Sequence, residues 1–297
     1  MEALASLILA QFLSGLTRAM VLFMVASGLS LIFGTMSVLN FAHGSFYMIG
    51  AFLCYEFVRF LGGSQAGFWI SIMIASIILG GVGMIIEVFI LRRTYSMEGA
   101  GHMPQLLITY ALIMITGDIV RMGWGGKFYS VPTPTGLSGS MKIFGMAFPF
   151  YNILLIIFGF AIYVGLWFLI YKTKLGMIIR ASVHDRELVG ALGIPIHKYF
   201  TIVFAIGIFL AGVAGGAYAP LSTISVGMDI SLLIEAFAVI IVGGVGSLTG
   251  TLLGALIVGE VYAFGIMVFP ELAMAFIFLI MVIVLIVRPF GLLGRPV

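Results

Sequence analysis

Two stretches of this sequence place polar residues between long apolar runs. The first break is Gly34–Gly44, which contains Asn40 and His43 and is followed by Ser45. An asparagine side chain carries donor and acceptor groups, and a neutral histidine carries one of each. At membrane depth, where lipid offers no partners, such groups indicate contact with a polar solute or a gate. Three positions apart on a helix, Asn40 and His43 would share one face. The alternative to solute contact is that they bond to neighbouring backbone to hold a bend.

The second break is Gly243–Gly250. Glycine is about 1 kcal/mol less favourable than alanine in a helix, so four glycines in this stretch predict that the helix ends there. Backbone amides exposed at the break could bind a carboxylate, since helix N-termini attract anions. Close packing of Gly243, Gly244 and Gly246 beside Ser247 is the alternative. The two breaks resemble one another, which indicates an internal repeat, and transporters often build a binding site from interrupted helices in two repeats. The alternative is that Gly-rich apolar stretches look alike by chance.

Charged residues inside the apolar runs are further candidates. Glu235 opens the arm that leads into the second break, so among the deep acids Glu87, Glu235 and Glu260 it is the best candidate for a solute contact. An ion pair with a neighbouring helix is the alternative. Arg18 is long enough to extend its charged end to the membrane surface. Opposite charges three positions apart predict helix-end ion pairs: Glu56 with Arg59, and Asp118 with Arg121.

The sequence offers little support for catalysis. No His/Asp/Glu cluster has the spacing of metal ligands, and neither a Walker pattern nor a nucleophile elbow is present. Cys54, the single cysteine, lies in an apolar run, which favours packing over chemistry. We therefore expect no catalytic residue, no metal and no cofactor bound by this chain, and a net charge of +3 gives no indication of nucleic acid.

The composition excludes a soluble protein. The chain is 62% hydrophobic and 8% charged, whereas soluble domains contain about 25% charged residues. A spanning helix needs about 20 mostly apolar residues. The runs that meet this requirement are 13–34, 40–61, 67–91, 103–121, 149–171, 199–219 and 271–288.

We expect an all-α polytopic membrane protein of about 7–9 transmembrane helices, forming one domain over residues 1–297. The block 231–269 crosses twice or re-enters from one face, so the fold contains two Gly-rich broken or re-entrant segments. Residues 2–12 lie at the membrane interface or extend the first helix.

Basic residues are concentrated in three places: after the third span at 92–93, in the loop 172–198, and near the end at 288–295. Counting crossings from the third span puts all three on one side, which the positive-inside rule makes cytoplasmic. We therefore expect the N-terminus outside, the C-terminus in the cytoplasm and an external, turn-rich loop at 122–148.

The loop 172–198 predicts a short amphipathic helix at 183–192. Ser182 and Asp185 fit a capping box, and Gly193 supplies a stop. Such a helix can dock a soluble partner, and binding of anionic lipid at the membrane surface is the alternative. The residues expected in the docking surface are Arg180, Asp185, Arg186, Glu187, Leu188, Ala191, Leu192 and Gly193.

A series of motifs runs through nearly the whole chain in order: Gly28–Gly34, Asn40–Gly44, Met48–Ala51, Arg180–Ile194, Gly243–Gly250 and Arg288–Arg295. These motifs resemble the permease subunits of branched-chain amino-acid ABC importers. Ser45 stands where members often have an acidic residue, and Thr249 stands where they often have proline.

The resemblance implies an importer in the bacterial inner membrane for a branched-chain amino acid or a related amide, urea or carboxylate. It implies a second homologous permease subunit, two ABC ATPase subunits that use ATP, and an external solute-binding protein. It also implies that the helix 183–192 couples to the ATPase subunits.

Under this interpretation the solute path is expected to include residues of the two breaks and the acid before the second: Asn40, His43, Ser45, Glu235, Gly243, Gly244, Gly246 and Ser247. A stand-alone channel or gradient-driven secondary transporter is the alternative. An intramembrane enzyme has the least support, because no catalytic cluster is present.

Overall fold

The computed structural model describes residues 2–94, 103–143, 146–184 and 186–294, and of residues 2–5, 184, 186 and 187 it describes only the backbone. Within these ranges the chain forms eleven α-helices and one β-hairpin. In chain order they are α1 (Glu2–Met36), α2 (His43–Phe60), α3 (Gln65–Phe89), α4 (Met103–Trp124), β1 (Ser140–Ile143), β2 (Met146–Pro149), α5 (Phe150–Lys172), α6 (Lys174–His184), α7 (Arg186–Ala191), α8 (Ile196–Tyr218), α9 (Met228–Gly243), α10 (Leu248–Val268) and α11 (Ala273–Val287). The predicted all-α polytopic fold is confirmed.

Seven of the described helical segments are long and apolar enough to cross a membrane: Ser6–Met36, Gln65–Thr94, Met103–Trp124, Phe150–Lys172, Ile196–Leu221, Leu248–Val268 and Pro270–Val287. The predicted span 40–61 corresponds to α2, which is not among the seven. Helix α2 packs on α3, α8 and α9, so much of its surface faces protein and does not need the uniform apolarity of a lipid-facing helix.

Helix α1 lies at the centre of the bundle, in contact with α5, α8, α9 and α10. Every residue from Ala19 to Ala26 is at most 1% exposed. A helix that is apolar on all sides belongs in an interior, and the uncharged run of α1 fits this position. Residues 2–12 extend α1 rather than forming a separate interfacial segment.

Glycines bring α8 close to its neighbours. A Cβ on Gly50 of α2 would lie 2.7 Å from the Cα of Gly212, and a Cβ on Gly216 would lie 2.9 Å from Ile72 of α3. Small residues support helix association in lipid because they let backbones approach. The Gly-rich composition of α8 therefore sets its central position between α2 and α3.

The two breaks are real interruptions of helix, and they touch. After α1 ends, Ser37 has a φ of 56° and residues 37–42 stay outside the helices; after α9 ends, Gly244 and Gly246 have φ values of +101° and +74°. A Cβ on Gly34 would lie 2.6 Å from the Cα of Gly246. The structure thus joins two stretches that are far apart in sequence, and their origin as a repeat stays a prediction.

The predicted external loop 122–148 contains a feature that the sequence did not indicate. Strands β1 and β2 pair antiparallel, with Met141 opposite Phe148. The hairpin is an exception to the predicted all-α fold. It is short, and exposed and buried residues do not alternate along it. An isolated bridge between Tyr129 and Ile224 ties this loop to the segment before α9.

Candidate functional site

The polar residues of the first break are buried in the bundle. Asn40, His43 and Ser45 are each 0% exposed. The Nε2 of His43 lies 3.0 Å from the Val25 carbonyl oxygen of α1, whereas neither side-chain atom of Asn40 has a hydrogen-bond partner among the described residues. The expected shared helix face is wrong, because α2 begins at His43 and leaves Asn40 in the non-helical segment.

Ser45 forms a hydrogen bond with a buried carboxylate that was not predicted from the sequence. Its Oγ donates a 2.8 Å hydrogen bond to Oδ2 of Asp229, in the first turn of α9, and Asp229 is 4% exposed. A Cβ on Gly44 would lie 2.6 Å from the Asp229 carbonyl oxygen, so α2 and α9 touch here. The available signal was an acid two residues after a loop glycine, Gly227 at φ +96°, because an acidic residue in the first turn suits a helix start.

Glu235 forms an ion pair with Arg18 of α1. Nη2 of Arg18 lies 2.7 Å from both carboxylate oxygens of Glu235. The guanidinium carbon lies 3.5 Å from the ring centroid of Tyr262 of α10, in cation–π geometry. The expectation that Arg18 extends to the membrane surface is wrong, because a buried carboxylate gives it a partner inside the bundle.

The other acidic residues have different surroundings. Glu87 is 0% exposed, and its Oε2 accepts hydrogen bonds from Arg92 at 2.9 Å and from Thr201 at 2.7 Å, which joins the end of α3 to the start of α8. Both carboxylate oxygens of Glu260 are buried without a partner in the described part of the chain, and they face Gly15 of α1.

The predicted helix-end pairs have different outcomes. Arg121 lies 3.5 Å from Asp118, as expected. Glu56 instead accepts a 2.8 Å hydrogen bond from Nε1 of Trp124, and within the described ranges it makes no ion pair with Arg59. Trp124 ends α4, so the contact fastens α4 to the end of α2.

The second break is closed by two caps. Oγ of Ser247 accepts a 3.1 Å hydrogen bond from the Gly250 amide and thereby caps α10. The amides of Leu292 and Leu293, after α11, donate to the carbonyls of Val242 and Gly243 at 2.9 and 3.0 Å. These carbonyls belong to the last turn of α9, which would otherwise lack partners.

The glycines of the second break serve close packing. A Cβ on Gly243 would collide with the Gly250 carbonyl, and a Cβ on Gly244 would collide with the backbone of Gly294. The expected packing role is therefore present. Gly246 also lines a cavity of about 20 Å³ with Ser27 and Ser30 of α1, and a cavity of this size can hold a single water molecule.

The predicted docking helix is divided differently from the expectation. Helix α6 extends through Ser182, whose Oγ is buried without a partner among the described atoms, so Ser182 is not an N-cap and the capping box is wrong. The cap of α6 is Thr173, whose Oγ1 accepts from the Gly176 amide at 3.2 Å. Asp185 lies outside the described residues.

Helix α7 ends at Ala191, and Gly193, the predicted stop, follows two residues later with a φ of +78°. Leu188 and Leu192 are 59% and 71% exposed, and Ala191 is also exposed. Arg186 and Glu187 lie in α7, with only their backbone described. The guanidinium of Arg180 donates to the Ile170 carbonyl, so it is tied to the end of α5.

The site joins helices around two breaks and a buried ion pair. Among the described residues, no group of three metal-binding side chains exists. Polar groups held at fixed positions among apolar helices can bind or guide a small solute. Asn40, Ser45 with Asp229, and Arg18 with Glu235 are the groups available for this role.

Comparison with known proteins identifies the family. Residues 11–285 match the family model described as "Branched-chain amino acid transport system / permease component". The chain is 29% identical over 302 residues to the high-affinity branched-chain amino acid transport system permease protein BraD of Pseudomonas aeruginosa, covering 97% of this chain and 96% of BraD. It is 26% identical over 309 residues to the corresponding protein LivH of Salmonella typhimurium, covering 97% and 96%.

Among solved structures, the chain is similar to PsaBC from Streptococcus pneumoniae in complex with Fab, with a TM-score of 0.46, 13% identity, and coverage of 91% of this chain and 87% of that one. The family match extends across both breaks and the loop 172–198. The chain therefore belongs to the branched-chain amino acid transport permease family, and it is a multi-pass membrane permease subunit of an ABC importer and not an enzyme.

Proposed function

We propose that this permease carries a branched-chain amino acid along a path through the contact between the two breaks. The observation that carries the proposal is the meeting of Gly34 with Gly246, which places interrupted backbone from two distant parts of the chain side by side in the bundle. Irregular backbone at membrane depth persists where it is buried in protein or lines a water-filled path. A related amide, urea or carboxylate is the alternative solute, because the substrate in a relative's name describes that relative and not this chain.

The residues proposed for the path are those of the two breaks and the acid before the second: Asn40, His43, Ser45, Glu235, Gly243, Gly244, Gly246 and Ser247. Asp229 joins them through its hydrogen bond to Ser45. The buried amide of Asn40, without a partner among the described residues, supports a role in binding a polar group.

The proposed orientation places the N-terminus outside the inner (plasma) membrane and the C-terminus in the cytoplasm. The basic clusters at 92–93, 172–198 and 288–295 support this orientation. The hydrogen bonds of Leu292 and Leu293 to the end of α9 put the ends of α9 and α11 at one level.

An ABC importer permease works with ATPase subunits and a solute-binding protein. The proposed assembly has a second homologous permease, two ATPases docked on α6 and α7, and an external binding protein. The exposure of Leu188 and Leu192 supports the docking surface, because an amphipathic helix with an uncovered apolar face suits a partner groove. Motion of the ATPases would then tilt the helices around the two breaks.

Reconstitution tests this function. The purified importer, with its ATPases and binding protein, is placed in lipid vesicles, and uptake of labelled leucine is measured with and without ATP. We expect uptake only with ATP. Uptake by the isolated permease without nucleotide would instead show a gradient-driven transporter or channel and would overturn the proposal.

A further inference from the structure

Arg18 and Glu235 form a buried ion pair beside Tyr218 and Tyr262, and each charge comes from a different helix. The Glu235 side chain is 5% exposed and that of Arg18 is 22% exposed. Tyr262 of α10 covers the guanidinium. Helices α1, α9 and α10 therefore meet at this pair, and separation of α1 from α9 breaks it.

One donor of the guanidinium has no partner among the described residues. Its Nη2 contacts both oxygens of Glu235, while its Nε is buried without a partner among the described residues. Arginine presents five donors in a planar fork that matches a carboxylate with two parallel hydrogen bonds. The Arg18 side chain is 22% exposed and its Nε is unpaired, so the fork can exchange Glu235 for a second carboxylate when α1 and α9 move apart.

We infer that Arg18 and Glu235 are specificity-determining residues that recognise the two charges of a zwitterionic solute. The Arg18 guanidinium binds the solute carboxylate, and the Glu235 carboxylate binds its ammonium group. The inference rests on the proposed function and names the two residues that bind the charged groups of that solute.

Charge pairing explains the choice of a zwitterion. When α1 and α9 separate, each charge loses its partner in a medium of low dielectric, which is strongly unfavourable. A zwitterion supplies a new partner to both charges at once. A neutral amide or urea supplies neither, and a carboxylate without an ammonium group supplies one, so these solutes leave at least one buried charge unpaired.

The test asks whether uptake depends on the two charges even when neither of them is left unpaired. The double variant Arg18→Gln/Glu235→Gln removes both charges together, so neither is left unpaired. It is compared with the single variants Arg18→Gln and Glu235→Gln in the assembled importer, by thermal unfolding in detergent and by ATP-driven uptake of leucine into vesicles. We expect the double variant to unfold closer to the wild-type temperature than either single variant, yet to take up leucine at least about tenfold more slowly than wild type.

Wild-type uptake by the double variant would show that the pair only supports the fold and would overturn the inference. A second variant covers the case in which the double variant does not assemble. Arg18→Lys keeps the charge, but an ammonium group lacks the planar fork, so we expect about a tenfold loss of leucine uptake. Unchanged uptake in Arg18→Lys would also overturn the inference.

The exposed pair of Asp118 and Arg121, with side chains 72% and 66% exposed, provides the matched control. Asp118→Asn/Arg121→Gln should leave uptake unchanged. Absence of ATP-dependent leucine uptake in the wild-type importer would count against the proposed function itself, whereas normal wild-type uptake with unaffected pair variants counts only against this inference.

Discussion

Gly34 of α1 lies against Gly246 of the second break, so closely that a Cβ on Gly34 would be 2.6 Å from the Cα of Gly246. Real Cβ atoms do not approach a Cα to this distance, so any larger residue at position 34 must push the two breaks apart. The proposed path runs through this contact.

The substitution Gly34→Ala is therefore expected to reduce ATP-driven leucine uptake at least about tenfold. Alanine gains up to about 1 kcal/mol of helix propensity over glycine, and the clash opposes that gain. Gly117→Ala in α4 is the matched control, because a Cβ there meets nothing within 4 Å. Equal uptake in the two variants would contradict the close contact.

The Ser45–Asp229 hydrogen bond gives a second prediction. Ser45→Ala removes the donor and leaves the buried carboxylate without it, which is expected to cost about 1–3 kcal/mol of unfolding free energy. Ser231→Ala is the control, because Ser231 is exposed on the same helix as Asp229. Unfolding in detergent, followed by circular dichroism, measures the unfolding free energy of both variants. An equally small loss in Ser45→Ala and Ser231→Ala would show that the Asp229 carboxylate does not depend on Ser45.

The docking surface gives a third prediction. Leu188→Asp/Leu192→Asp places two charges on the exposed apolar face of α7 and its C-terminal end, so we expect the ATPase subunits to be lost during purification while the permease still inserts in the membrane. The measurement is the ATPase that co-purifies with tagged permease. Phe128→Asp, at a residue 77% exposed in the external loop, is the control. Retention of ATPase by the double variant would argue against docking on α7.

The pair of Glu87 and Arg92 gives a fourth prediction. Glu87 is 0% exposed at its side chain and Arg92 is 33% exposed, so removal of Arg92 leaves a buried charge, whereas removal of Glu87 leaves a partly solvated one. We expect Arg92→Ala to cost several kcal/mol, up to about 3–5, and Glu87→Gln to cost less. Thermal unfolding in detergent orders the two variants, and the reverse order would contradict the assigned burial.

Local signals predicted much of the fold. Apolar runs of about 20 residues marked the spanning helices because lipid requires them, and glycine clusters marked both breaks because glycine weakens helices. The start of α2 was harder to predict, because the apolar run at 40–61 includes Asn40 but the helix begins only at His43.

The partners of the polar residues could not be predicted, since each is set by helix packing. Arg18 and Glu235 are 217 positions apart in sequence, and Ser45 and Asp229 are 184 apart. No local pattern connects such residues. Ser182 failed as a predicted cap for the opposite reason: its motif was locally correct, but α6 starts earlier, at a cap supplied by Thr173.

The backbone bonds from Leu292 and Leu293 to the end of α9 have a consequence for biogenesis. During synthesis, α9 and α10 enter the bilayer before Leu292 and Leu293 have been made. The carbonyls of Val242 and Gly243 therefore lack these hydrogen-bond donors until α11 has been inserted. The second break therefore reaches its final form late in membrane insertion, and a chain stopped after α11 would keep its helices but leave this turn unfinished.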